Sequence, residues 1–150
     1  AIGGPFVTDT QDYRQWAQIL GRKFPAEPGG AVWLRGHGSQ HFADSAYAAL
    51  DYHLKDLGRS DMFVGTVEGF PDLDTLLRKV GEYPATSALL TPLMLVAGDH
   101  ALHDMAGDEP DSWKQILLRE NFEVTCVMRG LGQAKGVQAL YCQHVRAIEG

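Results

Sequence analysis

Short apolar segments alternate with amphipathic segments along most of the chain. Five apolar runs have the length and the composition of buried strands, and they cover residues 5–9, 31–35, 62–67, 87–92 and 122–128. In the segments between them, apolar residues recur every three or four positions, which is typical of helices that bury one face. Strands that alternate with helices in this way predict a parallel sheet with crossover helices. We therefore expect an α/β fold with three layers, in which helices flank both faces of a parallel sheet.

Short polar residues and glycines mark the ends of several predicted helices. Thr10 is predicted to cap the first helix and Asp44 the second, because their side-chain oxygens can accept free N–H groups of a first turn. Gly58 suits the position just after the second helix, where a left-handed backbone is common. The other helices are predicted over 71–81, shortly after Gly98, from near Asp111, and from about Lys135.

Length and composition fit one folded domain, residues 1–150, with 45% hydrophobic residues. The net charge of −6 argues against a nucleic-acid partner, which would favour a basic surface. The longest apolar stretch, 88–98, is interrupted by Thr91 and Pro92 and is too short to span a bilayer. We therefore expect no nucleic-acid or membrane partner and a cytoplasmic location. Because the chain starts without Met, a periplasmic location stays open.

Polar residues capable of binding or catalysis follow each apolar run at a regular interval. They are Asp9, His37, Glu68, His100 and Arg129, and the separations between them are 28, 31, 32 and 29 residues. One strand–helix–strand unit takes about thirty residues. Because parallel strands all end at the same edge of a sheet, we expect these residues to gather at that edge, where open α/β folds bind ligands.

Each of these residues also has a purely structural interpretation. His37 lies between two glycines, so a capping role in a tight turn fits it as well as a functional one, and Glu68 alone fits a turn. His100 and His103 are spaced to share a helix face and could bind a metal, although polar residues on an exposed helix face are commoner. At a helix start His100 would favour the neutral imidazole that binds metals. Arg129 would also fit an ion pair with an acidic neighbour.

A glycine-rich segment, 130–136, follows a predicted strand and precedes a predicted helix, as a phosphate-binding loop does. Its glycine spacing is GxGxxxG rather than GxGxxG, and too few residues follow it to supply an acidic residue about 20 positions later. We therefore expect no dinucleotide and no other organic cofactor.

Four sequence stretches together resemble the anaerobic sirohydrochlorin cobaltochelatases of the class II chelatase superfamily. They read GHGSQHFADSAYAALDY, VGTVEGFPDLDTLL, PLMLVAGDHALHDMAGDEPDSW and VMRGLG, and the third is the most specific. The resemblance covers the chain from about Pro5 to its end. Chains of that family have two similar α/β halves that face each other across a cleft, and this sequence resembles the carboxyl-terminal half. The resemblance implies a chelatase-like (flavodoxin-like) fold.

The resemblance also implies a site and a reaction. The metal-binding histidines of the family fall on His37 and His100, and their acidic partner falls on Glu68. These three residues are expected to bind the metal and to accept protons while cobalt is inserted into sirohydrochlorin, a step of cobalamin biosynthesis. Arg129 and Arg35 are expected to contact the carboxylates of the tetrapyrrole.

Two alternatives stay open at this point. Iron or nickel could replace cobalt in the same reaction, because imidazole and carboxylate ligands alone do not select among such divalent ions. The chain could also be a binding module that holds a metal or a tetrapyrrole without turnover. In either case we expect a missing amino-terminal half or a second copy of the chain to close the cleft.

Overall fold

A single parallel sheet forms the centre of the molecule. The computed structural model describes residues 9–38, 40, 45–94 and 98–149, and it describes only the backbone at 100, 133, 141, 144, 145 and 147–149. The strands of the described residues are β1 (Gly30–Gly36), β2 (Met62–Thr66), β3 (Ser87–Pro92) and β4 (Glu123–Cys126). They pair in the order β2-β1-β3-β4, and every pairing is parallel. The predicted parallel sheet is confirmed.

Six α-helices precede, connect or follow these strands in the described part of the chain. They are α1 (Thr10–Lys23), α2 (Ser45–Asp56), α3 (Leu73–Val80), α4 (Asp99–Ala106), α5 (Trp113–Arg119) and α6 (Lys135–Glu149). Their order is the predicted one. None of the helices in the described residues is both long enough and apolar enough to cross a membrane.

Helices cover both faces of the sheet, so the fold has three layers. Successive residues of β1 alternate between two hydrophobic cores: Val32 and Leu34 enter one, and Ala31 and Trp33 enter the other. The first core receives apolar side chains from α1, α2 and α6, and the second receives them from α3, α4 and α5. The predicted three-layer α/β fold is therefore confirmed.

The start of the described chain differs from the prediction. Residues 5–8 of the predicted first strand lie outside the described residues. Asp9 caps α1, since its Oδ1 accepts the N–H of Asp12 at 3.0 Å. The prediction that Thr10 is the cap is wrong, because Thr10 is already the first helical residue and the preceding carboxylate takes the capping position.

The end of α2 has the predicted geometry. Gly58 has a φ of +83°, its N–H donates to the carbonyl of Lys55 at 2.9 Å, and the N–H of Arg59 donates to the carbonyl of Leu54 at 3.0 Å. This pair of bonds is a Schellman motif, which a glycine permits because it has no Cβ. The predicted cap at Asp44 lies outside the described residues.

Side chains of α2 cover the outer edge of the sheet at β2. The N–H of Val64 donates to Oδ1 of Asp51 at 2.9 Å, and Nζ of Lys55 contacts the carbonyl of Met62. An edge strand normally leaves such backbone groups free for another strand. At Met62 and Val64, side chains of α2 bind these backbone groups instead.

An ion pair between Arg59 and Asp61, just before the start of β2, joins three segments of the chain. Nε and Nη2 of Arg59 bind the carboxylate of Asp61 at 2.8 and 2.7 Å. Nη1 donates to the carbonyl of Gly21, and Nη2 donates also to the carbonyl of Phe24. Burial alone would raise the pKa of Asp61, but the hydrogen bonds and the charge of Arg59 lower this pKa below its usual value. The pair therefore fastens the end of α1 to the start of β2, far from the carboxyl ends of the strands.

Asp61→Asn is expected to lower the free energy of unfolding by about 2 kcal/mol at neutral pH, the typical contribution of a charge-assisted hydrogen bond. Because the pKa of Asp61 is depressed in the folded chain, its contribution is full above the unfolded pKa of about 3.9 and is lost as the pH falls through the folded value. Urea unfolding of both proteins between about pH 7 and pH 3 would show the difference shrinking. A difference that stays constant over this range would contradict the assignment.

Candidate metal-binding site

Four of the predicted site residues lie beyond the carboxyl ends of the strands, at one edge of the sheet. His37 directly follows β1, and Glu68 comes two residues after β2. His100 is the second residue of α4, the helix that follows β3, and Arg129 lies in the loop after β4. Because all four strands are parallel, the backbone of each of these residues leaves the sheet at the same edge, as the sequence spacing predicted.

Backbone hydrogen bonds bring His37 and Glu68 together. The carbonyl of His37 accepts the N–H groups of Val67 and Glu68 at 3.1 and 3.0 Å, which ties the exit of β1 to the exit of β2. As a result, Nε2 of His37 lies 3.6 Å from Oε2 of Glu68. This separation is longer than a hydrogen bond, and the two side chains are 68% and 61% exposed. The imidazole and the carboxylate therefore lie next to each other, and both are accessible to an ion from solvent.

Two glycines give the turn around His37 its shape. A Cβ at Gly36 would overlap the aromatic ring of Tyr47, which packs against the turn. Gly38 has a φ of +77°, and a Cβ there would lie 2.6 Å from Cβ of Thr66 and 2.8 Å from the nitrogen of Gly69. The GHG sequence thus allows the turn to pack closely between α2 and the exit of β2 while the imidazole stays at the surface.

The first turn of α4 is attached to β1, because Nη1 of Arg35, two residues before His37, donates to the carbonyl of Ala101. The helix begins at Asp99 after Gly98, which offers no side-chain cap, so His100 stands at a helix start as predicted. The side chain of His100 lies outside the described residues. Among the side chains that the structure describes, no three His, Cys, Asp or Glu form a group that could hold a metal. What the structure describes of the site is therefore the His37–Glu68 pair and the backbone of α4 at the same edge of the sheet.

Arg35 is buried, unlike a residue that contacts a large substrate. Its exposed fraction is 2%, its Nη1 donates to the carbonyl of Ala101 at 3.2 Å, and its guanidinium carbon lies 5.6 Å from the centre of a Trp113 ring. Burial lowers the pKa of Arg35, and the carboxylate of Asp104 acts in the opposite direction. Substrate binding by Arg35 stays a prediction, which this burial does not favour.

Arg129 is exposed, in the loop between β4 and α6. Two residues further on, the N–H of Leu131 donates to the carbonyl of Met94 at 2.7 Å, which attaches this loop to the segment after β3. An exposed guanidinium at the edge that carries His37 is suited to a carboxylate of a substrate, and this role stays a prediction.

Two other histidines, His53 and His103, lie in helices. His53 of α2 stacks on Tyr13 of α1, with ring centres 5.5 Å apart and planes 8° apart. His103 is exposed in the last turn of α4, one turn beyond His100.

Sequence reasoning did not single out three exposed apolar side chains in the loops that follow strand ends. Val67, Phe70 and Met128 are 44%, 59% and 44% exposed, in the loops after β2 and β4. Exposed apolar side chains mark a binding site when they form a continuous patch. The usable signal in the sequence was their position just after two strands, next to the predicted polar residues.

Comparisons with known proteins agree with this architecture. The family model described as Cobalt chelatase (CbiK) matches residues 2–149. A protein of Salmonella typhimurium named sirohydrochlorin cobaltochelatase is 37% identical over 145 residues, which are 96% of this chain and 54% of that protein. A protein of Nitratidesulfovibrio vulgaris named sirohydrochlorin cobaltochelatase CbiKC is 32% identical over 148 residues, which are 97% of this chain and 52% of that protein. The chain thus spans about half the length of these curated relatives.

Proposed function

This chain belongs to the cobalt chelatase (CbiK) family, and from that premise we propose that it forms the metal-holding half of a chelatase that inserts cobalt into sirohydrochlorin. The family expected from the sequence motifs is confirmed. The reaction is named for the relatives, and we carry it over to this chain because the His37–Glu68 pair is exposed at the sheet edge where α4 begins, with His100 as the second residue of that helix. That arrangement is the observation on which the proposal depends.

Cobalt is the substrate ion in this proposal, held by His37, His100 and Glu68. Imidazole and carboxylate suit divalent first-row metals, and a set of two histidines and one carboxylate leaves coordination positions for other nitrogens. Nickel and iron fit the same ligands. We prefer cobalt because of the description of the family.

The same three residues are proposed to move the protons of the reaction. When the metal enters, two pyrrole N–H bonds break, the ion exchanges its previous ligands for the four ring nitrogens, and two protons leave. Imidazole is the side chain that changes its protonation between about pH 5 and 8, so a histidine beside the macrocycle can accept a proton. The high exposure of His37 and Glu68 lets them pass such protons on to water.

The tetrapyrrole is proposed to lie over the exposed apolar side chains of Val67, Phe70 and Met128. Arg129, exposed at the same edge, would contact its carboxylates. The net charge of −6 opposes an anionic substrate, so further cations are expected from the other wall of the cleft. A missing amino-terminal half or a second copy of this chain would supply that wall. We retain the cytoplasm, with the periplasm as alternative, as the predicted location.

One alternative function has a specific observation in its favour. Because the chain spans about half the length of its relatives, it would also suit a module that holds a metal or a tetrapyrrole without turnover. Catalysis and binding are separable by experiment.

The test uses the protein at the full length that its gene encodes, without oxygen, mixed with sirohydrochlorin and Co²⁺, Ni²⁺ or Fe²⁺ in turn. We expect the absorbance change of metal insertion to be accelerated over the protein-free reaction, and most strongly with Co²⁺. Binding of both substrates without acceleration would favour the module and reject the chelatase. Faster insertion of another metal would change the metal and keep the reaction.

A further inference from the structure

Arg35 connects the two chain segments that carry the proposed metal-binding histidines. It lies two residues before His37 at the end of β1, and its guanidinium binds the carbonyl of Ala101, the residue directly after His100. These partners are 66 residues apart in sequence. The chemistry proposed above uses Arg35 neither as a metal ligand nor as a proton acceptor.

We propose that Arg35 is a positioning residue, which holds the first turn of α4 against the exit of β1 and so sets the distance between His37 and His100. This inference rests on the proposed function, because it assigns a role in that metal site.

The bond from Arg35 to Ala101 is important because α4 has few other attachments near its start. The residue before the helix, Gly98, makes no side-chain cap bond, and its Cβ position is open space. Met105, which is fully buried, anchors the far end of the helix in the core. Among the described contacts, the first turn itself has the partial packing of Leu102 against the same core and the bond from Arg35. Without that bond, only the packing of Leu102 would hold the first turn, and the backbone at His100 would shift.

Arg35 is itself held in one orientation. The ring of Trp113, the first residue of α5, lies next to the guanidinium group. Oγ of Ser112 donates to the carbonyl of Gly107 at 2.8 Å, which joins the start of α5 to the end of α4. The planar guanidinium therefore lies between two helices that are also joined to each other, and its fixed donors define a direction that a flexible ammonium group does not.

Stability alone is a poor explanation for an arginine at this position. The guanidinium is almost entirely removed from water, and its Nε has no hydrogen-bond partner among the described residues. A buried charge with incomplete partners is often no more stabilising than an apolar side chain of similar volume. The arrangement is accounted for if the arginine is needed to place α4.

The experiment compares Arg35→Met and Arg35→Lys with the wild type, and uses Arg59→Met as the matched control. Arg59 is a second largely buried arginine that donates to backbone carbonyls, but it lies at the opposite end of β2. For each full-length protein, Co²⁺ affinity is measured by calorimetry, the ligand field of bound Co²⁺ by visible absorption, and stability by urea unfolding.

We expect Arg35→Met to weaken Co²⁺ binding about 10–100-fold, the range found when a residue that orients a metal ligand is removed. The visible bands of bound Co²⁺ should also shift. Arg35→Lys should recover part of the affinity, since it keeps a donor and a charge. Arg59→Met should lose stability and keep the Co²⁺ affinity and spectrum of the wild type.

The outcomes separate this inference from the function on which it rests. If His37→Ala abolishes Co²⁺ binding but both Arg35 variants bind like the wild type, the inference is overturned and the metal site stands. If Arg59→Met weakens Co²⁺ binding as much as Arg35→Met does, the role of Arg35 is merely structural. If the wild type binds no Co²⁺, the proposed function fails and the inference with it. If Arg35→Met does not fold, the visible absorption of Co²⁺ bound to Arg35→Lys decides. Shifted bands support the inference, and the wild-type bands overturn it.

Discussion

His37→Ala and His100→Ala should each weaken Co²⁺ binding by more than about 100-fold, a loss beyond that typical of removing an outer-shell residue. Each substitution removes one of the two neutral nitrogen ligands and leaves the remaining pair unable to hold the ion while it loses water. Metal insertion should fall to the rate without protein. Calorimetric titration with Co²⁺ and the absorbance assay with sirohydrochlorin measure the two effects.

The fold should survive these substitutions. His37 is 68% exposed, and its carbonyl, not its side chain, ties the exits of β1 and β2 together. Urea unfolding should therefore give nearly the wild-type midpoint for His37→Ala.

The chain offers two matched controls for the loss of an imidazole. His103→Ala removes one from the same helix as His100, one turn further on, and His53→Ala removes one that stacks on Tyr13. Both variants should bind Co²⁺ with wild-type affinity. If His37→Ala and His103→Ala had the same small effect, the assignment of the metal ligands would be wrong.

The placement of the site residues at one edge of the sheet was predictable, because it depends on a repeated strand–helix unit. Strand–helix units of about thirty residues put successive strand ends at one edge whatever the details of packing. β3 matches its predicted bounds, whereas β4 is shorter than the predicted 122–128. Among the described strands β4 pairs only with β3, and this pairing ends at Leu90 and Cys126, so the apolar run extends beyond it.

The surroundings of Arg35 were not predictable from the local sequence. A charged residue close to His37 suggested a contact with substrate. The pattern of apolar residues in a strand does not show which later segments cover the end of that strand. The cover is α4 and Trp113, which come more than 60 residues later in the chain. Similarly, the spacing predicted that His37 and Glu68 share an edge, but the backbone bonds that bring them to 3.6 Å depend on the shape of two loops.

Gly38→Ala should lower the free energy of unfolding by roughly 2–5 kcal/mol and weaken Co²⁺ binding as well. A side chain at a φ of +77° costs about 1–2 kcal/mol. The new Cβ would lie 2.6 Å from Cβ of Thr66, and relieving such overpacking typically costs about 1–3 kcal/mol. The relief moves the turn that carries His37 away from the exit of β2, and therefore away from Glu68.

Gly58→Ala is the matched control, because Gly58 has a similar φ of +83° but no atom within 4 Å of its Cβ position. It should cost only the backbone part, about 1–2 kcal/mol, and leave Co²⁺ binding unchanged. The difference between the two variants in urea unfolding and in Co²⁺ titration isolates the effect of crowding. If both variants lost the same stability and kept full Co²⁺ affinity, close packing of the turn against β2 could not be what places His37 beside Glu68.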